Sequence, residues 1–127
     1  MSDEAELNEA QRRIEALGLR LRERSVSDET FGNLVADFAD DVVRARLLRD
    51  RGQWFIEIGS ASGKAHDIGL HLRCLTHQQP APDYTLEAQL AKLEPSFAAI
   101  RDAYRSSNYE DELRHAATAR RKELGLG

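Results

Sequence analysis

His71, Cys74 and His77 have the residue types of a metal site, set three residues apart. Imidazole nitrogen and thiolate sulfur are ligands that zinc takes, and a structural zinc normally takes four. On a helix, groups at i, i+3 and i+6 spread over about 120° of arc, too wide for one ion without a bend. No second cluster completes a set of four, so no metal is expected; the expected arrangement is Cys74 turned to a core with the histidines outside. His66-Asp67 and His115 have the chemistry of general bases, yet no partnered serine or cysteine nucleophile is recognisable. Gly59-Ser60-Ala61-Ser62-Gly63-Lys64 approaches a phosphate loop, which needs Gly-x4-Gly-Lys-Ser/Thr. Here the glycines stand one residue too close and Ala65 replaces the hydroxyl, so the segment reads as a flexible connection. These readings give a non-enzyme with no catalytic residue, no metal and no cofactor.

Charge offers the other chemistry. Asp28, Glu29, Asp37, Asp40 and Asp41 cluster around one candidate strand and its ends. On a shared surface they form a negative patch, which steers a cationic partner and speeds association; otherwise they form a solvated rim. Arg49 and Arg51 flank Asp50 at a candidate hairpin tip, where they meet a partner's acids or simply border a turn built by Asp50 and Gly52. The candidate partner-binding residues are therefore Asp37, Asp40, Asp41, Arg49 and Arg51.

The elements that must position these residues are legible in outline. Leu7, Ala10, Ile14 and Leu17 predict a helix over Asp3–Leu17, capped by Ser2 or Asp3 and stopped at Gly18. Residues 19–24 alternate and favour a strand, with a continued helix as the alternative. Ser25–Thr30 reads as a turn, Leu34–Phe38 as a strand, and Asp40-Asp41 as the next reversal. Val42–Arg49 and Trp54–Ile58 form a hairpin. For Leu47 to share a face with Trp54 and Ile56, the loop must hold an even number of residues, with Gly52 at positive φ. Across strands, Arg44 and Arg46 are expected to meet Asp37 and Glu57. From Asp67, Ile68, Leu72 and Leu75 fit a short helix, although Ile68, Leu70, Leu72 and Cys74 equally fit a strand; Thr76–Asp83 is a linker. Leu86, Leu90, Leu93, Phe97, Ile100 and Tyr104 predict a helix, kinked or broken near Glu94 by Pro95. Asn108 is expected to cap a last helix that ends at Gly125. The fold expected is α+β: an N-terminal helix, an antiparallel sheet of three or four strands, then C-terminal helices packed on one face.

The 127 residues suit a single domain, residues 1–127, with a core of its own. Net charge is −4, and residues 1–60 carry all of it, with 13 acids against 9 Lys+Arg. That balance disfavours nucleic acid and suits a basic protein partner or solubility alone. One cysteine excludes an internal disulfide and agrees with a reducing compartment. An acidic start and the lack of any apolar run near ~20 residues lead us to expect a cytoplasmic protein with no membrane contact.

Phe31-Gly32-Asn33, Arg49-Asp50-Arg51-Gly52-Gln53-Trp54 and Ser107-Asn108-Tyr109, in the order helix, hairpins, helices, resemble small bacterial immunity-type proteins. Such proteins are encoded beside polymorphic or contact-dependent toxins, and each neutralises its cognate toxin. The resemblance implies a cytoplasmic protein-binding inhibitor that occludes the surface of a toxin domain, a basic one given the acidic patch. It carries over no catalytic residues. The alternative is a non-catalytic structural module that forms a homodimer through its apolar C-terminal series.

Overall fold

The computed structural model describes residues 3–27 and 33–125, so Asp28, Glu29 and the Phe31-Gly32 pair lie outside the described residues. The elements run α1 (Asp3–Glu15), β1 (Arg20–Ser27), β2 (Asn33–Ala39), β3 (Val43–Asp50), β4 (Gln53–Ser60), β5 (His66–Asp67), α2 (Ile68–Thr76), α3 (Leu86–Ala103) and α4 (Tyr109–Glu123). The strands form one antiparallel sheet in sequential order. This is the expected α+β layout with one strand more, the two-residue β5.

Alternation decides which side of the sheet is buried. Leu34, Ala36 and Phe38 of β2, Val43, Ala45 and Leu47 of β3, and Trp54, Ile56 and Ile58 of β4 are no more than 4% exposed. They meet Leu7, Ala10 and Ile14 of α1, Ile68 of α2, and Leu90, Leu93, Phe97 and Ile100 of α3 in one cluster. Helix α4 packs behind this layer, its Tyr109 and Leu113 against Leu70 of α2. Burying side chains of this size contributes roughly 1.5–3 kcal/mol each before entropy is counted.

The β3–β4 loop contains two residues, Arg51 and Gly52, at φ 53° and 83°. Two positive φ values in succession make a type I′ turn, whose twist matches that of the flanking strands. Asn33 secures it from β2: its Oδ1 accepts from the Arg51 N–H at 3.0 Å and its Nδ2 donates to Asp50 at 3.1 Å. Leu47 pairs with Ile56 and Arg49 with Trp54, so Leu47 and Trp54 share the inner face as parity requires.

Several expectations shift. β1 continues through Ser27, so the turn placed at Ser25–Thr30 begins later. Its register slips between Leu21 and Glu23, and this bulge turns Arg24 inward, where it donates to Asn8 and Gln11 of α1 at 3.1 Å. Pro95 does not break α3, which runs as one 18-residue helix. The ring sits on the exposed side, while Leu90, Leu93, Phe97 and Ile100 hold the opposite side to the sheet. Asn108 occupies the start of α4 with αR backbone and makes no side-chain cap bond; capping needs an extended residue there. Ser106 instead accepts from the Asn108 N–H at 3.4 Å.

Backbone and core contributions to the hairpin are separable. Gly52 has open space where a Cβ would stand, so its constraint is conformational. Gly52→Ala is expected to cost about 1–2 kcal/mol, and Leu47→Ala about 2–5 kcal/mol, both read from urea midpoints. A neutral Gly52→Ala would refute the type I′ turn.

Candidate functional site

Most of the acids expected to face a partner already have partners within the fold. Asp40 accepts from the Val42 and Val43 N–H groups, both at 2.8 Å, and from Arg101 Nε of α3 at 2.7 Å. Burial pushes its pKa up, but the Val43 N–H, Arg101 and the Val42 N–H outweigh this and hold it below the usual carboxylate range. Asp40 thus closes the β2–β3 turn and ties α3 to it. Asp41 is exposed and meets the same guanidinium at 3.1 Å. Asp37 lies on the outer sheet face, bonded to Arg46 Nε at 2.8 Å; Glu57 stands opposite the same arginine, and Arg44 donates to the Gly63 carbonyl, at 2.6 Å and 3.2 Å. The two arginines separate. Arg51 is exposed at the turn, whereas Arg49 stands on the inner side with its guanidinium 5.7 Å from the Trp54 ring centre. It lines a groove of about 480 Å³ with Glu6, Glu9, Arg13, Tyr84 and Glu87.

The structure brings together a different set, on the side of the sheet away from the helices. Pairing places Glu23, Asp37, Arg46, Glu57 and Asp67 in one row, a single residue from each strand. Beside it runs a second row, Ser25, Val35, Leu48 and Phe55. One arginine faces three carboxylates here: Asp37 most closely, then Glu57 and Glu23. Glu57 is partly buried with a pKa raised by burial and by Asp67, against the pull of Arg46 and Arg44. Asp67 is satisfied by a two-pronged bond from Arg120 of α4, at 2.7 Å and 2.9 Å, and caps α2 through the Leu70 N–H at 3.1 Å. Val35, Leu48 and Phe55 remain partly exposed, with Phe55 leaning on Tyr84, ring centres 5.0 Å apart. Sequence reasoning found Asp37, Arg46 and Glu57 but not the whole row, because a row across strands exists only once every register is set.

Of the histidine and cysteine triplet His71 departs from expectation, while Cys74 packs against the α2–α4 cluster and His77 is exposed. His71 is fully buried and Cys74 only half-buried, because α2 turns His71 toward the sheet edge and Cys74 toward α4. His71 Nε2 lies 2.8 Å from the Ile58 carbonyl, which can only accept, so Nε2 carries the proton; Nδ1 then accepts from the Tyr109 hydroxyl at 2.7 Å. The Tyr104 hydroxyl donates to the same Ile58 carbonyl at 3.2 Å. His77 ends α2 in the left-handed conformation, at φ 61°, and His115 is exposed. Among the described residues no group of three His, Cys, Asp or Glu side chains is placed to hold a metal ion.

Comparison with family models, with curated proteins and with solved structures finds no match to this chain. No helix among the described residues is long and apolar enough to cross a membrane.

Burial lowers the His71 pKa to about 4 from the 6.5 of a free histidine, outweighing its bond to Ile58. The folded state therefore favours the neutral ring. Its contribution is complete above pH 6.5 and is lost as pH falls from there toward 4, by up to about 3 kcal/mol. Urea stability measured across that window should decline with acid in the wild type, and His71→Gln should remove most of the slope. An unchanged slope in His71→Gln would assign the acid sensitivity elsewhere.

Proposed function

We infer that the chain is a non-catalytic protein-binding module that neutralises a partner by covering its surface, and that the outer sheet face, opposite the main core, is the side that docks. The observation that carries this reading is the pairing of the two outer rows. A row with four carboxylates and one arginine runs beside a row with the partly exposed Val35, Leu48 and Phe55, on the side of the sheet opposite the main core, where α4 reaches only the Asp67 end through Arg120 among the described residues. Exposed apolar groups next to a charged row give the mix of anchor and steering that protein interfaces use. Arg46 takes Asp37 and Arg120 takes Asp67, so Glu23 and Glu57 are the carboxylates left in the row to favour a cationic partner. The resemblance to immunity-type proteins supports the same reading, with a basic toxin domain as the partner and the cytoplasm as the place of action. A tight interface of this kind buries on the order of 1,600 Å² in total.

The homodimer alternative loses its residue basis. Leu90, Leu93, Phe97 and Ile100 of the C-terminal series are buried within the chain, and Leu86 and Tyr104 pack against the same cluster. Asp40 is spent within the fold on Arg101 and two backbone N–H groups, whereas Asp41 stays exposed beside Arg101.

The product of the reading frame adjacent to this chain's own is the partner to test. Co-expression should restore the growth that this product arrests. Leu48→Arg or Glu57→Gln should weaken binding at least about tenfold, or 1.4 kcal/mol, with the thermal midpoint kept. Arg114→Glu, on α4, should leave binding unchanged. Protection that survives both sheet-face variants would move the interface elsewhere, and a harmless neighbouring product would end the inhibitor reading.

A further inference from the structure

The connection from β4 to β5 and one side of α4 enclose a cleft of about 450 Å³. Lys64 and His66 line it from the connection, and Glu110, Arg114, Thr118 and Arg121 line it from the helix. Residues 114, 118 and 121 fall on one stripe of α4 by their i, i+4, i+7 spacing. Three cations thus stand against one carboxylate, in a chain whose net charge is −4. Arg114 is paired with Asp111 on its own helix. Among the described residues Lys64 and Arg121 make no ion pair, so their charge is available to a ligand.

The connection is held in place. A Cβ on Gly59 would meet the Lys64 carbonyl oxygen at 2.6 Å, and one on Gly63 would meet Ser60 Oγ and the Glu110 carboxylate. The Gly63 carbonyl accepts from the Arg44 guanidinium at 2.6 Å and 3.2 Å. Glycine at both positions lets the loop close tightly and lie against the first turn of α4, which sets the lysine at the cleft. The loop is not a backbone cradle for phosphate, because the Ala61 and Gly63 N–H groups are spent on the Val42 and Ser60 carbonyls. Its contribution is the fixed placement of Lys64.

We propose that this cleft binds the phosphate monoester of a small organic molecule, with Lys64 and Arg121 taking the phosphoryl oxygens. A guanidinium matches two phosphate oxygens at once, and an ammonium supplies a point charge. The Thr118 hydroxyl and the His66 ring add neutral donors. Glu110 remains as an acceptor for a ligand hydroxyl, which is a reason to expect a polyol or sugar moiety. The volume falls within the roughly 300–1,000 Å³ of small-molecule sites and exceeds what a bare phosphate fills.

The His66 ring reports on occupancy. Burial and Lys64 lower its pKa, Asp67 and Glu110 raise it, and Arg120 lowers it. A bound dianion adds to the raising side. The full chain is titrated at constant ionic strength with ribose 5-phosphate and, separately, with inorganic phosphate, and the His66 ring resonances are followed by NMR. Ribose 5-phosphate should saturate in the millimolar range or tighter, bind more tightly than inorganic phosphate, and raise the His66 pKa. Lys64→Ala with Arg121→Ala should weaken it about tenfold or more, while Lys122→Ala, a neighbouring cation outside the cleft, changes it less than twofold. Absence of saturation overturns the proposal. So does equal binding of the two probes, which shows recognition of an anion alone, and so does an equal loss in Lys122→Ala, which shows diffuse charge attraction.

Discussion

The turn at Arg51 and Gly52 decides what every strand presents to the two sides of the sheet. With two residues in the loop, Leu47 and Trp54 fall on the same side, and Ile56 and Ile58 follow. One residue more or fewer would carry Phe55 and Glu57 inward, leaving a half-buried carboxylate in an apolar layer. β2 takes its register from β3, and β1 from β2, so the choice propagates across the sheet. The same choice assembles the outer row of Glu23, Asp37, Arg46, Glu57 and Asp67. The core and the outer row thus depend on the same backbone conformation.

The far edge of the sheet is the second place where polar groups must be settled. β4 pairs with β5 over only two residues, which leaves much of its edge unpaired. An open edge is a template for unwanted pairing. Here the Trp54 N–H donates to the Tyr84 carbonyl at 2.8 Å, and the Ile56 N–H donates to Gln89 Oε1 at 3.1 Å. The Ile58 carbonyl takes both His71 and Tyr104. The linker after α2 and the buried polar side chains of α2 and α3 therefore serve one purpose. This explains why Gln89 and His71 are the polar residues buried among the described ones. His71 in a core would otherwise be an unpaired cost.

Local signals revealed the elements whose pattern is strictly periodic. The α3 series and the strands β2, β3 and β4 were legible because alternation or helical spacing runs unbroken through them. The bulge at Arg22 and the two-residue β5 were not, since each depends on a partner strand rather than on its own residues. Pro95 does not break α3, although proline removes a backbone donor and crowds the preceding turn, because four apolar side chains on the opposite side keep this helix in place. Of the triplet His71, Cys74 and His77, His71 alone misled. Residue type suggested that cysteine would be inside and histidine outside, but the sheet edge offered an acceptor that only a donor could use. Of the candidate site, individual residues were legible, while the row they form needed the cross-strand register.

The net charge of −4 conceals how unevenly the acids and bases are spent. Arg101 is committed to Asp40 and Asp41, Arg120 to Asp67, and Arg13 to Glu87 and Glu94. These pairs join elements distant in sequence, α3 to the β2–β3 turn, α4 to β5, and α1 to α3, so they belong to the architecture more than to recognition. Partly exposed pairs of this sort stabilise by no more than about 1 kcal/mol each; their greater effect is to withdraw charge from the surface. What remains is sorted by sign. On the sheet row Glu23 and Glu57 remain once Arg46 has taken Asp37 and Arg120 has taken Asp67, and Lys64 and Arg121 make no ion pair at the α4 cleft among the described residues. A uniform acidic coat would give solubility without selection. Leftover charge of opposite sign at two separate places is what the proposed docking to a cationic face and the proposed binding of a compact anion each rest on.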